Sequence, residues 1–546
     1  GHPANAMEDS SKKKYDRQLR IWGEHGQANL LSSKICLLKC GPTGSETLKN
    51  LVLGGIHSFT IVDDARVTPS DLGNNFMLDT GSLGRPIAMC VTELLKEMAG
   101  DVAGSFVEES PETLLEANPA FFEDFTLVIA TQMPEAYAAK LDAQCRSIGV
   151  PMVWVRSYGL MGTLRVSVAE HTVIESKPDN IMDDLRVHRP WPELLDFAKS
   201  FDLTDPDDMI HKHIPMVAIL IQVLEKWRAG TGAEAPRTAQ ERRDFKALVQ
   251  GACRMMDVSQ ADNFKEAVAK AHVTWAPPAM GDGVRAVIED AKAVDLAVPA
   301  AAGPAGAGGR VDFWVLAGAL RRFVDTHGGV LPLDGAVPDM TATTEWYLAV
   351  QKVYGEKAAR DVGEVESYAQ QLLKDMGRDP SSLPRGAVKH FCKHARHLKV
   401  VRCRSIAEET GEGSCKGEEV KKALESEDQA ANMSLYMLLR AADRFAATYG
   451  HVPGADAAQL EEDSERLKST ALGLMGECRA NTSAELSDDY LAEICRFGAS
   501  ELHAVAALMG GMAAQEAIKL ITHQFVPLTG TLVYNGMASS MSVFNL

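Results

Sequence analysis

The sequence predicts an α/β protein: a doubly wound sheet domain, discontinuous along the chain, with a large and mainly helical insert between its halves. Three observations carry that expectation. Residues 15–155 alternate short apolar runs with amphipathic helical stretches, residues 170–485 read as long amphipathic helices, and residues 486–546 return to the alternating style. The expected boundaries are therefore 8–169 and 486–546 for the sheet domain and 170–485 for the insert.

The elements follow in order. Residues 15–22 place Tyr15, Leu19 and Trp22 on one helical face, which turns Arg17 and Arg20 the other way. Lys34–Leu38 is a short apolar run that suits a buried parallel strand, and Cys40, Gly41, Pro42, Thr43, Gly44 and Ser45 make a tight turn after it. A helix carries Leu48, Leu51 and Val52 on its buried stripe and stops at Gly54 and Gly55. Ser58–Val62 is the next strand and ends in Asp63 and Asp64. This strand, glycine turn, helix and strand form a Rossmann-like unit. Further strands are expected at 127–130 and 151–155, with a helix between them near 135–146.

Within the insert, the Ala/Gly/Pro stretch 297–309 reads as a linker or surface loop. Three helices end in a basic-aromatic pair followed by a glycine turn and a proline: Lys226 and Trp227, Arg322 and Phe323, Arg444 and Phe445. These are either duplicated helical hairpins or ordinary helix stops. The tail offers a helix over 503–521, in which Gly510, Gly511, Ala513 and Ala514 permit close packing, and a final strand region at 525–527 and 531–534.

Composition narrows the function. The formal charge is -18, from 74 acidic and 56 basic side chains, and such a field repels phosphate backbones, so no nucleic-acid partner is expected. No apolar run is read as approaching the roughly 18 residues that cross a bilayer, so no membrane partner is expected either. The ten cysteines are scattered, without a Cys-x-x-Cys pair, and no apolar leader precedes them. That predicts a reduced intracellular protein, cytoplasmic or nuclear.

A partial glycine turn is weak by itself. The run Tyr15, Asp16, Arg17, Gln18, Leu19, Arg20, Ile21, Trp22, Gly23, with Gly44 to Leu51 and with Gly73, Asn74, Asn75 and Phe76, resembles the adenylation domains of the activating enzymes for ubiquitin-like modifiers, the ThiF/MoeB-like family. The resemblance extends through Gly104 to Glu112 and Val400 to Ser405 to Tyr534, Asn535, Gly536 and Met537. It is strongest to the regulatory subunits of heterodimeric neddylation-activating enzymes.

What the resemblance implies is a pseudo-adenylation domain. Catalytic members carry Gly-x-Gly-Gly-x-Gly where this chain has Lys39, Cys40, Gly41, Pro42, Thr43 and Gly44. Their second aspartate after the ribose strand, arginine, glutamine, lysine and magnesium-binding aspartate fall where Ala65, Asn74, Asn75, Ile87 and Gln132 stand here. Losing these charges removes what neutralises a triphosphate and its metal. The expectation is a degenerate nucleotide site, with Asp63 or Asp64 still able to hold a ribose. No cofactor is expected on this chain, and ATP and magnesium belong to the partner subunit.

The resemblance also implies a use for Arg17, which would reach in trans to ATP bound by the catalytic subunit, with Arg20 as second choice. The catalytic subunit of the neddylation-activating enzyme is the expected partner, and the ubiquitin-like modifier of the Rub/Nedd type is met through the complex. No cysteine stands in the family's acceptor setting; Cys415, in a polar loop beside Lys416, is the one exposed candidate, and Cys403 reads as core. Candidate partner-interface residues are Trp22, Asp339, Trp346 and Tyr347, the last three from an apolar-sided helix over 339–352 that the insert itself could equally bury. His211 and His213 lack further ligand spacing and read as a solvated loop, so no metal is assigned. Rival readings are the partner subunit of a SUMO-type activating enzyme, whose family lacks so large an insert, a self-sufficient sulfur-carrier adenylating enzyme, and a non-catalytic interaction scaffold.

Overall fold

The structure, a computed structural model, describes residues 13–179, 182–255, 261–295, 308–480 and 486–546. The expected linker at 297–309 lies outside these residues, except that Gly308 and Gly309 open the helix Gly308–Thr326. The chain divides into two compact units. Among the described residues, the first takes those of 13–173 and 400–546, and the second those of 174–295 and 308–399.

The first unit is built on an eight-stranded sheet. Helix α1 (Asp16–Ser32) leads into β1 (Lys34–Leu38), α2 (Pro42–Gly54), β2 (Ser58–Val62), α3 (Ile87–Met98), β3 (Ala103–Val107), β4 (Leu127–Thr131), α4 (Glu135–Ile148), β5 (Met152–Tyr158) and β6 (Met161–Ser167). After the second unit come α5 (Ala430–Tyr449), α6 (Leu460–Glu477), α7 (His503–Thr522), β7 (Thr531–Asn535) and β8 (Ser540–Phe544). The strand order is β8-β7-β6-β5-β4-β1-β2-β3. From β3 to β5 all pairs are parallel, as βαβ crossovers require, and the remaining three pairs are antiparallel. The doubly wound, discontinuous sheet domain expected from the sequence is thus present. It gains three strands that were not foreseen, β3, β6 and β8, and 525–527 is not a strand.

Helix α7 is long and apolar enough to cross a membrane, with a mean hydropathy of 1.3, which corrects the reading that no such run exists. Val505, Met509, Ala513, Ala517 and Leu520 bury it in the protein core instead. It lies against α2 and against β5 and β6. A Cβ on Gly162 would stand 2.5 Å from Met509, so a strand glycine lets the helix settle on the sheet.

The second boundary differs from expectation. Residues 400–485 were assigned to the insert, yet the described part of that stretch belongs to the first unit. The reason is hydrophobic: Met433, Met437 and Phe445 of α5 share one buried cluster with Met161, Val533 and Phe544 of the sheet. The second unit, 174–399, has its own core around Ile219, Leu220, Phe245, Phe264, Val350 and Tyr354.

Candidate functional site

The turn between β1 and α2 is where the fold would cradle phosphates, because backbone N–H groups point out of a helix N-terminus there. Gly41 caps α2 and Pro42 takes its first position. The groove in front of them is filled from within. Glu501, just before α7, accepts hydrogen bonds through Oε1 from the backbone N–H of Thr43 at 3.2 Å and from the Thr43 hydroxyl at 2.6 Å. Its Oε2 lies 2.7 Å from where a Cβ on Gly41 would be. A carboxylate at a helix N-terminus satisfies an orphan donor and complements the helix dipole.

The sequence offered no motif for Glu501, which meets Thr43 across 458 positions of chain. Burial, with Asp63 and Asp71 nearby, pushes its carboxyl above the ordinary range, although the Thr43 bonds pull the other way. Its backbone is held too: the Glu501 carbonyl accepts from Asn74 Nδ2 at 2.8 Å, and Gly159 N–H donates to the Ser500 carbonyl at 2.7 Å.

The residues at the degenerate positions are occupied with structural work. Lys39 sits at φ 62, the left-handed region a glycine would favour, and its ammonium pairs with Glu112 at 3.2 Å. A Cβ on Gly44 would stand 2.4 Å from the Lys39 carbonyl, so this glycine is needed for close approach. Asp63 is buried and spends its carboxylate on the N–H groups of Cys40 (2.9 Å) and Ala65 (3.0 Å). Asp64 is exposed. Asn75 is buried and donates to the Cys40 carbonyl at 3.2 Å. Ile87 is buried at the start of α3. Gln132 exchanges two 2.7 Å hydrogen bonds with the backbone of Ser157, which prolongs the β4–β5 pairing. Lys39, Gly41, Gly44, Asn74, Asn75 and Gln132 thus stand around the turn between β1 and α2 and its neighbouring strand ends.

Helix α1 buries Tyr15 and half-buries Leu19 and Trp22. Trp22 donates from its indole to Gln27 at 3.0 Å, and its carbonyl accepts from Gln524 at 2.8 Å. Arg17 projects outward with its side chain 90% exposed; the Asp16 carboxylate is 3.9 Å away. Arg20 pairs with Asp16 at 3.1 Å and is 70% exposed. The two arginines are thus unequal, and Arg17 is the one the helix presents.

Three other expectations change. Cys415 is half-buried, and its thiol is pushed up as it hydrogen-bonds to Cys478. Cys478 is drawn down by that bond and by Arg440, whose Nη1 lies 3.6 Å from its sulfur, but it is buried. Neither is an exposed acidic thiol of the kind a thioester acceptor needs. His211 is buried rather than solvated: it stacks on Phe264 and its Nε2 accepts the Arg254 N–H at 3.0 Å. In the second unit the helix expected at 339–352 begins only at Thr344, capped by Thr343, and runs to Asp375. Trp346 packs edge-on against Phe201 with centroids 5.1 Å apart, and the exposed Asp339 accepts from the Tyr347 hydroxyl at 3.3 Å. Trp346 thus packs within its own unit.

Comparison with known proteins bears on this geometry. The ThiF family pattern matches residues 15–546. The NEDD8-activating enzyme E1 regulatory subunit AXR1 of Arabidopsis thaliana is 47% identical over 98% of this chain and 96% of its own length. The NEDD8-activating enzyme E1 regulatory subunit AXL of the same plant is 46% identical over 96% and 98%. The NEDD8-activating enzyme E1 regulatory subunit of Danio rerio is 39% identical over 98% and 99%.

Proposed function

This chain belongs to the ThiF family and, within it, to the regulatory subunits of the NEDD8-activating enzyme E1, and from that premise we propose that it activates nothing on its own account. It is the regulatory subunit of a heterodimer that activates a ubiquitin-like modifier for neddylation, and the SUMO-type alternative is not favoured. The catalytic subunit is its partner and holds ATP and magnesium; the modifier is met through the complex.

One observation supports a silent nucleotide site above the rest: the Glu501 carboxylate is seated on the α2 N-terminus, where phosphates would have to sit. A triphosphate entering there meets a negative charge rather than bare N–H groups, and Lys39 is already paired with Glu112. The residues present do not fit Mg-ATP. Asp63, turned onto the backbone of its own loop, offers a ribose little.

Arg17 is what the chain contributes in charge. Its exposure on a helix anchored by Tyr15 and Trp22 fits a contact in trans with partner-bound ATP, and the Asp16 pair makes Arg20 the weaker candidate. ATP–pyrophosphate exchange tests both parts. The chain alone is expected to give none, and exchange by the chain alone would overturn the silent-site reading. In the assembled heterodimer, Arg17→Ala is expected to lower the rate of adenylate formation about ten- to hundredfold, the worth of a charge-assisted contact of about 1.5–3 kcal/mol. An unchanged rate would remove Arg17 from the reaction.

A further inference from the structure

We propose that Glu175, His390 and His394 of the second unit form a site for a divalent first-row metal ion, Zn2+ by ligand chemistry. The three side chains each turn one ligand atom to a common point, all within 4.8 Å of one another. Glu175 Oε1 lies 3.2 Å from His390 Nε2 and 3.8 Å from His394 Nε2. Zinc bonds of 2.0–2.1 Å at tetrahedral angles separate neighbouring ligand atoms by about 3.3 Å. These two separations straddle that edge and the third pair lies within 4.8 Å, so side-chain rotations bring all three atoms to one ion. Two imidazole nitrogens and a carboxylate oxygen are the donor set that suits Zn2+.

The supports of the site are local and firm. His390 lies in the last turn of the helix Arg385–Lys393, and His394 is its C-cap, four residues on, so both rings leave one face. The Ser176 N–H donates to the His397 carbonyl at 3.3 Å, which ties the Glu175 segment to the same stretch. Lys177 stands 3.7 Å from the other carboxylate oxygen, Oε2, and so orients Oε1 toward the rings. The side chains of Glu175, His390 and His394 are 12, 21 and 20% exposed, shielded yet reachable for an ion and for a water at the fourth position. Glu175 lies at the beginning of the second unit and the histidines near its end, so a bound ion would clamp the two ends of that unit together. The expectation of no metal, argued from His211 and His213, did not weigh the His-x-x-x-His spacing at 390 and 394.

The test uses the full chain, stripped with chelator and gel-filtered after exposure to Zn2+. Metal analysis and competition with a chromophoric chelator are read on the wild type and on His390→Gln, His394→Gln and Glu175→Gln. The expected result is one equivalent more on the wild type than on the His390→Gln/His394→Gln double variant, with each single variant at least tenfold weaker. Zinc held by cysteine thiols is common to all and cancels. Equal zinc on wild type and double variant would overturn the proposal. Should the variants fail to fold, Co2+ titration of the wild type decides instead: visible bands of a tetrahedral ion without near-ultraviolet thiolate-to-cobalt charge transfer are expected, and an octahedral spectrum alone, or tetrahedral bands only with that charge transfer, counts against the site.

Discussion

At the scale of single residues, the most informative position is one that no motif announces. Glu501 seats a carboxylate at the N-terminus of α2, and its energetics follow from two hydrogen bonds on Oε1. Glu501→Ala leaves the Thr43 N–H without its acceptor in a half-buried groove, at a cost of about 1–3 kcal/mol. Glu501→Gln keeps an acceptor oxygen and costs less. The carboxyl is raised in the folded state, so native Glu501 takes up a proton before the unfolded chain does. Its ionised form is therefore a liability that grows as pH rises from the unfolded value of about 4.3 through the folded one, and then levels off. Denaturation midpoints of wild type minus Glu501→Gln should fall across that window on going toward neutral pH. A flat difference would mean that the groove does not perturb this carboxyl. The neighbouring residues were readable because they stand in a local run from Lys39 to Ser45; Glu501 was not, because its partner is brought to it only by the completed fold.

At the scale of elements, the strands that were read from sequence are those buried on both faces. β1 and β4 are continuous apolar runs and are buried almost throughout. β6 was missed because Gly162, Thr163 and Arg165 break the pattern, yet Arg165 is buried and paired with Glu409 at 2.7 Å. The expected strand at 525–527 fails because Phe525 takes φ 58 and Pro527 has no N–H to donate. The three recurring helix ends have a shared cause in their stops: Gly232 and Gly450 are left-handed C-caps, and Gly328 and Gly329 also have positive φ. The small residues of α7 allow a paired prediction. A Cβ on Gly510 would stand 2.7 Å from Glu46 Cβ and 3.0 Å from the Thr47 nitrogen, whereas one on Gly511 meets nothing within 4 Å. Gly510→Ala should force α2 and α7 apart and cost about 1–3 kcal/mol; Gly511→Ala should add up to about 1 kcal/mol through helix propensity. Thermal unfolding of the two variants checks both signs, and equal shifts would mean that the α2–α7 contact is not tight.

At the scale of the whole molecule, the chain behaves as a sheet domain with a second unit spliced into it, and the splice points decide what can be removed. Sequence periodicity registers only a change from alternating to helical style, so it placed the return to the sheet domain at 486. It could not tell the helices of the second unit from α5 and α6, because an amphipathic helix does not say which surface it will cover. The core does say so: Met161, Val533 and Phe544 of the sheet are covered by α5. At roughly 1.5–3 kcal/mol for each fully buried large side chain, uncovering these three costs about 5–9 kcal/mol, comparable to the whole stability of an ordinary domain. Two excisions should therefore behave oppositely. Replacing Ile174 through Lys399 by a short Gly/Ser linker spares that cluster, and the flanks are already joined within the first unit: Cys403 N–H donates to the Val168 carbonyl at 3.1 Å, and Arg402 pairs with Glu170 at 2.8 Å. This chain should unfold cooperatively and stay soluble. Replacing 170–485 in the same way strips α5 and α6 from the sheet and should give an aggregating product without a sharp transition. Circular dichroism melts and gel filtration of the two products settle the matter, and cooperative unfolding of the larger deletion would show that the sheet does not depend on α5 for its core.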